Sequence, residues 1–98
     1  MKISEKAIKL TITERLNKAL AYSPEMDTAI NEAVFRFRDK DYGDIEPADI
    51  EANEKALAAR EGYVLGKYPT PKGNIFINLT FYDELAEDIA CLMFCEEY

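Results

Sequence analysis

Apolar positions along the chain fall first into helical stripes and then into alternating runs. Ile8, Ile12, Leu16, Ala19 and Leu20 keep helical spacing and, with Ser4 as a cap, predict a first helix over residues 4–21. The patch KLTIT at 9–13 is β-branched and weakens that helix locally. Ser23 and Pro24 make a strong second start: serine suits the N-cap, proline the first helical position, and Glu25 and Asp27 the positive helix end. Met26, Ala29, Ile30, Ala33, Val34 and Phe37 then recur with the cleanest periodicity in the chain, predicting a helix over 24–38. The short connector between the two predicts an antiparallel helical hairpin. Pro47 opens a third helix over 47–60. Its face is thin, made of Ile50, Leu57 and alanines, so it should lie on the surface and pack closely through those alanines, with Gly62 as a stop.

Beyond residue 62 the period changes to two. YVLGKY (63–68) reads as a strand, PTPKGN (69–74) as a turn, and residues 74–82 as a second strand in which Ile75, Ile77, Leu79 and Phe81 share one face. The tail over 84–95 admits two readings. Asp83 as a cap with Leu85, Ile89, Leu92 and Met93 on one face describes a helix, whereas IACLMFC as a continuous apolar run describes a third strand, which a two-stranded hairpin needs for stability. The expected fold is α+β, a single domain over 1–98 with three helices packed on a small antiparallel sheet. Ile75, Ile77, Leu79 and Phe81 should meet Ile30, Val34 and Phe37 in the core.

Composition narrows the chemistry. The chain has no histidine, which removes His-based triads and most zinc sites and lowers the expectation of an enzyme. Cys91 and Cys95, one turn apart if helical, read as reduced thiols facing the core. No apolar run reaches membrane-spanning length, and MKISEKAIKLTITERL lacks the apolar stretch of a signal peptide, so a cytoplasmic protein is expected. KYPTPKGN lacks the spacing of a phosphate-binding loop. No catalytic residue and no cofactor is assigned.

Net charge is −7, and it is uneven. Residues 1–38 and 62–72 are each +2, residues 39–61 are −5, and residues 73–98 carry six acids and no base. Such a surface repels phosphate, which disfavours direct nucleic-acid binding, but it can occupy a basic groove on a nucleic-acid-handling protein. The alternative is an acidic face that only aids solubility.

DKDYGDIEPAD (39–49) raises the question of calcium. An EF-hand loop alternates oxygen ligands around a glycine at its sixth position. Asp39 and Asp41 match the first ligands, but Gly43 then falls one place early. Deleting one residue from the motif restores the glycine and loses a ligand, Pro47 stiffens the second half, and Asp49 is a shorter clamp than the usual glutamate. The favoured reading is local: Asp39 and Asp41 start a turn, Gly43 supplies unusual backbone, and Asp44 or Glu46 helps to initiate the third helix. A metal-responsive module built on Asp39, Asp41 and Asp49 stays as the alternative. Asp83, Glu84, Glu87 and Asp88 could pair carboxylates for acid–base work, but a solvated acidic face is the simpler reading.

FRFRDKDYGDI (35–45), the run Asp49, Glu51 and Asn53, GKYPTPKGNIFI (66–77) and the closing EEY (96–98) resemble small proteins encoded on phages, plasmids and conjugative elements of gut Firmicutes. The resemblance covers about residues 35–98. No catalytic residues carry over from that group. It implies a mobile-element origin and an accessory or host-defence-modulating role, and it implies a strand for the tail.

The leading functional expectation is therefore a non-enzymatic acidic interaction protein that meets a basic protein surface through Asp41, Tyr42, Asp44, Glu46, Glu51, Glu87 and Asp88. A homodimer stays open. The other alternative is a small enzyme using carboxylates, tyrosine or Cys91.

Overall fold

The computed structural model describes residues 6–98. The chain runs β1 (Ala7–Ile12), α1 (Glu14–Tyr22), α2 (Pro24–Arg38), α3 (Pro47–Ala59), β2 (Tyr63–Tyr68), β3 (Ile75–Thr80) and β4 (Glu87–Phe94), with a short 3-10 turn at Cys95–Glu97. The fold is α+β, as the patterning predicts. The sheet has four strands in the order β1-β4-β3-β2, where β2–β3 and β3–β4 are antiparallel and β1 joins β4 in parallel.

Two expectations are corrected and one open reading is decided: the sheet is larger than the small antiparallel one expected and takes β1 in parallel, the first helix is shorter, and the tail is settled. Residues 7–12 are a strand, and the helix begins only at Glu14; the proposed cap Ser4 lies outside the described residues. Ile8 and Ile12 are four apart, a spacing that suits a helix face and also one side of a strand. Pairing with β4 decides between the two, and the β-branched KLTIT patch is the local signal that favours it. Thr13 then caps α1 by accepting a hydrogen bond from the Leu16 amide on its side chain (3.4 Å). The tail is a strand: Asp88, Ala90, Leu92 and Phe94 alternate inward, which no helix allows.

The other elements follow their sequence signals. Ser23 caps α2, Pro24 stands in its first turn, and α3 starts at Pro47. Arg60, in left-handed conformation (φ 51°), ends α3 two residues before Gly62.

One sheet face meets α1 and α2. Val64, Ile75, Ile77, Leu79, Ala90 and Leu92 pack there against Leu16, Met26, Ile30, Ala33 and Phe37, all buried. Val34 and Phe81 only border this core. Gly66 belongs to the same face because a β-carbon there would lie 2.5 Å from the Tyr68 hydroxyl and 2.9 Å from the Phe37 ring. The opposite face alternates outward through Leu65, Phe76, Asn78, Ile89, Cys91 and Met93, all half-buried. The two cysteines are thus free, half-buried thiols rather than core residues: Cys91 points outward on β4, and Cys95 follows in the 3-10 turn.

The edge strand β2 is closed twice. The Asn53 side chain, almost fully buried on α3, donates to the Leu65 carbonyl (2.8 Å) and accepts from the Leu65 amide (3.0 Å). Two residues along, Lys67 donates its amide to the Tyr42 carbonyl, and its carbonyl accepts from the Asp44 amide, each at 2.9 Å. Gly43 bridges that contact at φ 74°, where a β-carbon would come within 2.0 Å of the Lys67 carbonyl oxygen. Closing an edge in this way removes the template for unwanted strand pairing. Asn53→Ala should therefore lower stability by about 2 kcal/mol and the melting temperature by about ten degrees. Glu51→Ala on the same helix should change stability by less than about 0.5 kcal/mol. Equal melting temperatures for the two variants would show that α3 is held by other contacts.

Candidate functional site

The DKDYGDIEPAD stretch is the segment that covers the β2 edge. Asp41 forms a two-point ion pair with Arg36 (2.8 and 3.2 Å) and accepts from the Gly43 amide (3.1 Å). The Arg36 hydrogen bonds, followed by the Gly43 amide, hold its carboxyl below the ordinary range. Asp39 caps the end of α2, while Asp49 sits in the first turn of α3. Among the described residues, no group of three or more acidic or cysteine side chains is placed to hold a metal ion. Asp39, Asp41 and Asp49 therefore do not form the alternative calcium cluster.

The residues expected on a contact surface divide into two sets. Tyr42 is buried and gives its hydroxyl to Glu54 (3.0 Å). Asp88 is fully buried, where it accepts from both terminal nitrogens of Arg60 (3.2 and 2.9 Å) and from the Tyr82 amide (3.1 Å). The Arg60 guanidinium also lies 5.0 Å from the centre of the Phe81 ring, so Asp88 anchors the 81–86 connection from inside. Neither Tyr42 nor Asp88 is on the surface that a partner would meet. Glu51 is exposed and pairs with Lys55 one turn on (3.3 Å), and Glu87 is exposed at the start of β4. Glu96 and Glu97 in the acidic tail are engaged locally, Glu96 with Arg15 and Glu97 with the Thr13 hydroxyl and the Phe94 amide.

Asp44 and Glu46 are brought together with Asp49. They line a cavity of about 240 Å³ whose floor is Leu65, Lys67 and Phe76 on the outward sheet face. A second cavity of about 470 Å³ continues from it under α3, with Ala52, Ala56 and Ala59 as one wall and Tyr63 and Leu65 as the other. Asp49 and Leu65 belong to both. The result is a groove along β2, mainly apolar under α3 and polar at its Asp44 end. Asp44, Glu46, Asp49 and Glu61 outnumber Lys55 and Lys67 around it.

The groove exists because Asn53 fixes α3 at the sheet edge while its alanines are too short to fill the angle between helix and sheet. Periodicity missed Asn53. The available signal was a polar residue at the centre of the thin stripe formed by Ile50 and Leu57.

The outward face has two further features. The Asn78 side-chain oxygen is buried and makes no hydrogen bond among the described residues. Tyr98 lies edge-on to Phe76, with ring centres 5.1 Å apart, and its hydroxyl is pushed up in pKa first by a hydrogen bond with Tyr63.

Comparison with known proteins adds no relative: no family model matches the chain, and neither a curated protein nor a solved structure is matched.

Two predictions follow from these placements. Calcium should leave the melting temperature unchanged; a rise of several degrees that disappears in Asp41→Asn would restore the metal reading. The second concerns Tyr42 and Tyr68. Burial, aided at Tyr42 by the bond to Glu54, raises both hydroxyls above their ordinary value of 10.0. The folded state therefore keeps protons that the unfolded chain releases. Their contribution is complete below about pH 10 and is lost as pH rises from there through the folded values. Denaturant titrations should show stability falling above pH 10, with a shallower fall in Tyr42→Phe/Tyr68→Phe. An identical slope in the double variant would assign alkaline unfolding to other groups.

Proposed function

We propose that the protein is a non-enzymatic acidic interaction protein that holds a basic segment of a protein partner in the groove between α3 and the outward face of the sheet. The groove carries this reading: it is mainly apolar under α3, beside Tyr63 and Leu65, and turns polar and acidic toward Phe76, where Asp44, Glu46 and Asp49 line it. An apolar centre with a charged rim is the arrangement in which burial supplies affinity and charge supplies selection and encounter rate. Of the acids expected to take part, Asp44 and Glu46 are the ones that line it, and Asp49 joins them.

Basic segments are common on proteins that handle nucleic acids. The resemblance to mobile-element proteins supports one concrete form of the proposal, the occupation and blocking of a nucleic-acid-binding surface of a host defence protein. The same acids disfavour direct contact with nucleic acid.

The test is affinity capture from a bacterial lysate with the wild-type chain, followed by titration of the captured protein at two salt concentrations. Asp44→Lys/Glu46→Lys should weaken binding by roughly tenfold or more and flatten its salt dependence. Glu51→Lys, outside the groove, should have a smaller effect. Both variants should melt near the wild type, because Glu46 precedes α3 without a side-chain capping bond and both acids are exposed. Full binding by the double charge reversal would sink the proposal.

A further inference from the structure

The two edges of the sheet are treated differently. The β2 edge is closed by Asn53 and by the segment 42–44, whereas β1 forms the opposite edge. The parallel register with β4, together with donation from the Thr13 amide to the Leu92 carbonyl (3.1 Å), fixes which backbone groups of β1 face inward. Lys9 and Thr11 turn their amides and carbonyls toward β4. Ile8, Leu10 and Ile12 turn theirs away from the sheet. Among the described residues, nothing bonds these outward groups. Leu10, at their centre, is also 43% exposed.

The sequence of this edge is symmetric about Leu10. Ile8 and Ile12 stand two residues to either side on the helix-covered face, and Lys9 and Thr11 stand between them on the other. We propose that β1 pairs antiparallel with β1 of a second copy of the chain, with Leu10 on the two-fold axis. Leu10 then meets Leu10 of the second copy, Ile8 meets Ile12, and Lys9 meets Thr11.

Each outward residue exchanges both its amide and its carbonyl with the residue opposite, which is the hydrogen-bonded pair of an antiparallel ladder. The apolar side chains fall on one face of the joined sheet. The two Lys9 ammonium groups avoid direct opposition, which would destabilise the pair. Sliding one strand by two residues would put either Lys9 on the axis, setting the two ammonium groups opposite each other, or Thr11, which leaves Ile8 unmatched. Strand addition at a free edge uses the main chain for affinity and alternate side chains for specificity. The interface is isologous and closes after two copies, so it yields a dimer rather than a fibre. The groove along β2 lies at the far edge of each copy and stays open, so the dimer would present two of them.

The experiment is light scattering across the micromolar range on the purified chain, combined with backbone amide exchange at low and high concentration. The expected result is a mass rising toward that of a dimer. The amides of Ile8, Leu10 and Ile12 should gain protection with concentration, while those of Lys9, Thr11 and Thr13 stay protected throughout. Leu10→Lys sets like charges on the axis at an exposed position and should hold the chain monomeric with its exchange pattern elsewhere unchanged. A monomer at every concentration would overturn the proposal. So would a dimer that survives Leu10→Lys or leaves the amides of Ile8, Leu10 and Ile12 unprotected. None of these results bears on the groove.

Discussion

A primary amide has the same donor and acceptor as a peptide group, so the Asn53 side chain can take the place of a missing strand beside Leu65. The groove along β2 depends on that replacement. It brings a helix, whose mid-helix backbone groups are bonded internally, against a strand edge that needs partners. With α3 fixed there and the 42–44 segment bonded to Lys67, the chain crosses the edge at two points two residues apart. The space between helix and sheet is left open because Ala52, Ala56 and Ala59 cannot fill it. The same small side chains give α3 its helix propensity.

The close approach at Lys67 organises the 39–49 loop around it. Gly43 allows the backbones to touch, and the preceding Tyr42 turns inward to meet Phe37 edge-on (6.3 Å). Tyr68, buried beneath, donates its hydroxyl to the Asp41 carbonyl (2.6 Å) while Arg36 lies 5.2 Å from its ring centre. Asp41 completes the arrangement by neutralising Arg36. An acidic loop that invites comparison with a calcium site thus uses the Asp41 carboxylate and Tyr42 to hold the edge, while Asp44 and Glu46 line the groove.

Net charge is for this reason a poor measure of binding surface. Asp41, Asp88, Glu54, Glu96 and Glu97 all stand in local pairs. Asp88 is the extreme case: a buried carboxylate is tolerable only because Arg60 and the Tyr82 amide satisfy it, and its partner sits in a left-handed conformation that ordinarily opposes a side chain. Asp44, Glu46 and Asp49 are the acids that converge on one cavity, above Leu65, Lys67 and Phe76.

Helix α2, helix α3 and the β2–β3 hairpin were legible in the sequence because their signals are local: a Ser-Pro start, a proline-opened alanine run, and strict alternation between turn residues. Asp44 and Glu46 were legible as outward acids for the same reason. What the tertiary structure alone decided involves partners far apart in the chain. Ile8 and Ile12 fit helix and strand equally until β4, some eighty residues later, supplies a ladder. The tail's apolar run became a strand because β1 and β3 flank it on both sides. Asn53, Asp88 and Tyr42 resemble ordinary polar surface residues in sequence, and only contact with Leu65, Arg60 and Phe37 made them interior. Hydrophobic period and capping chemistry act over a few residues, so they settle local elements. Strand pairing and the burial of polar groups require the partner to be present, so they are settled only when the chain has folded.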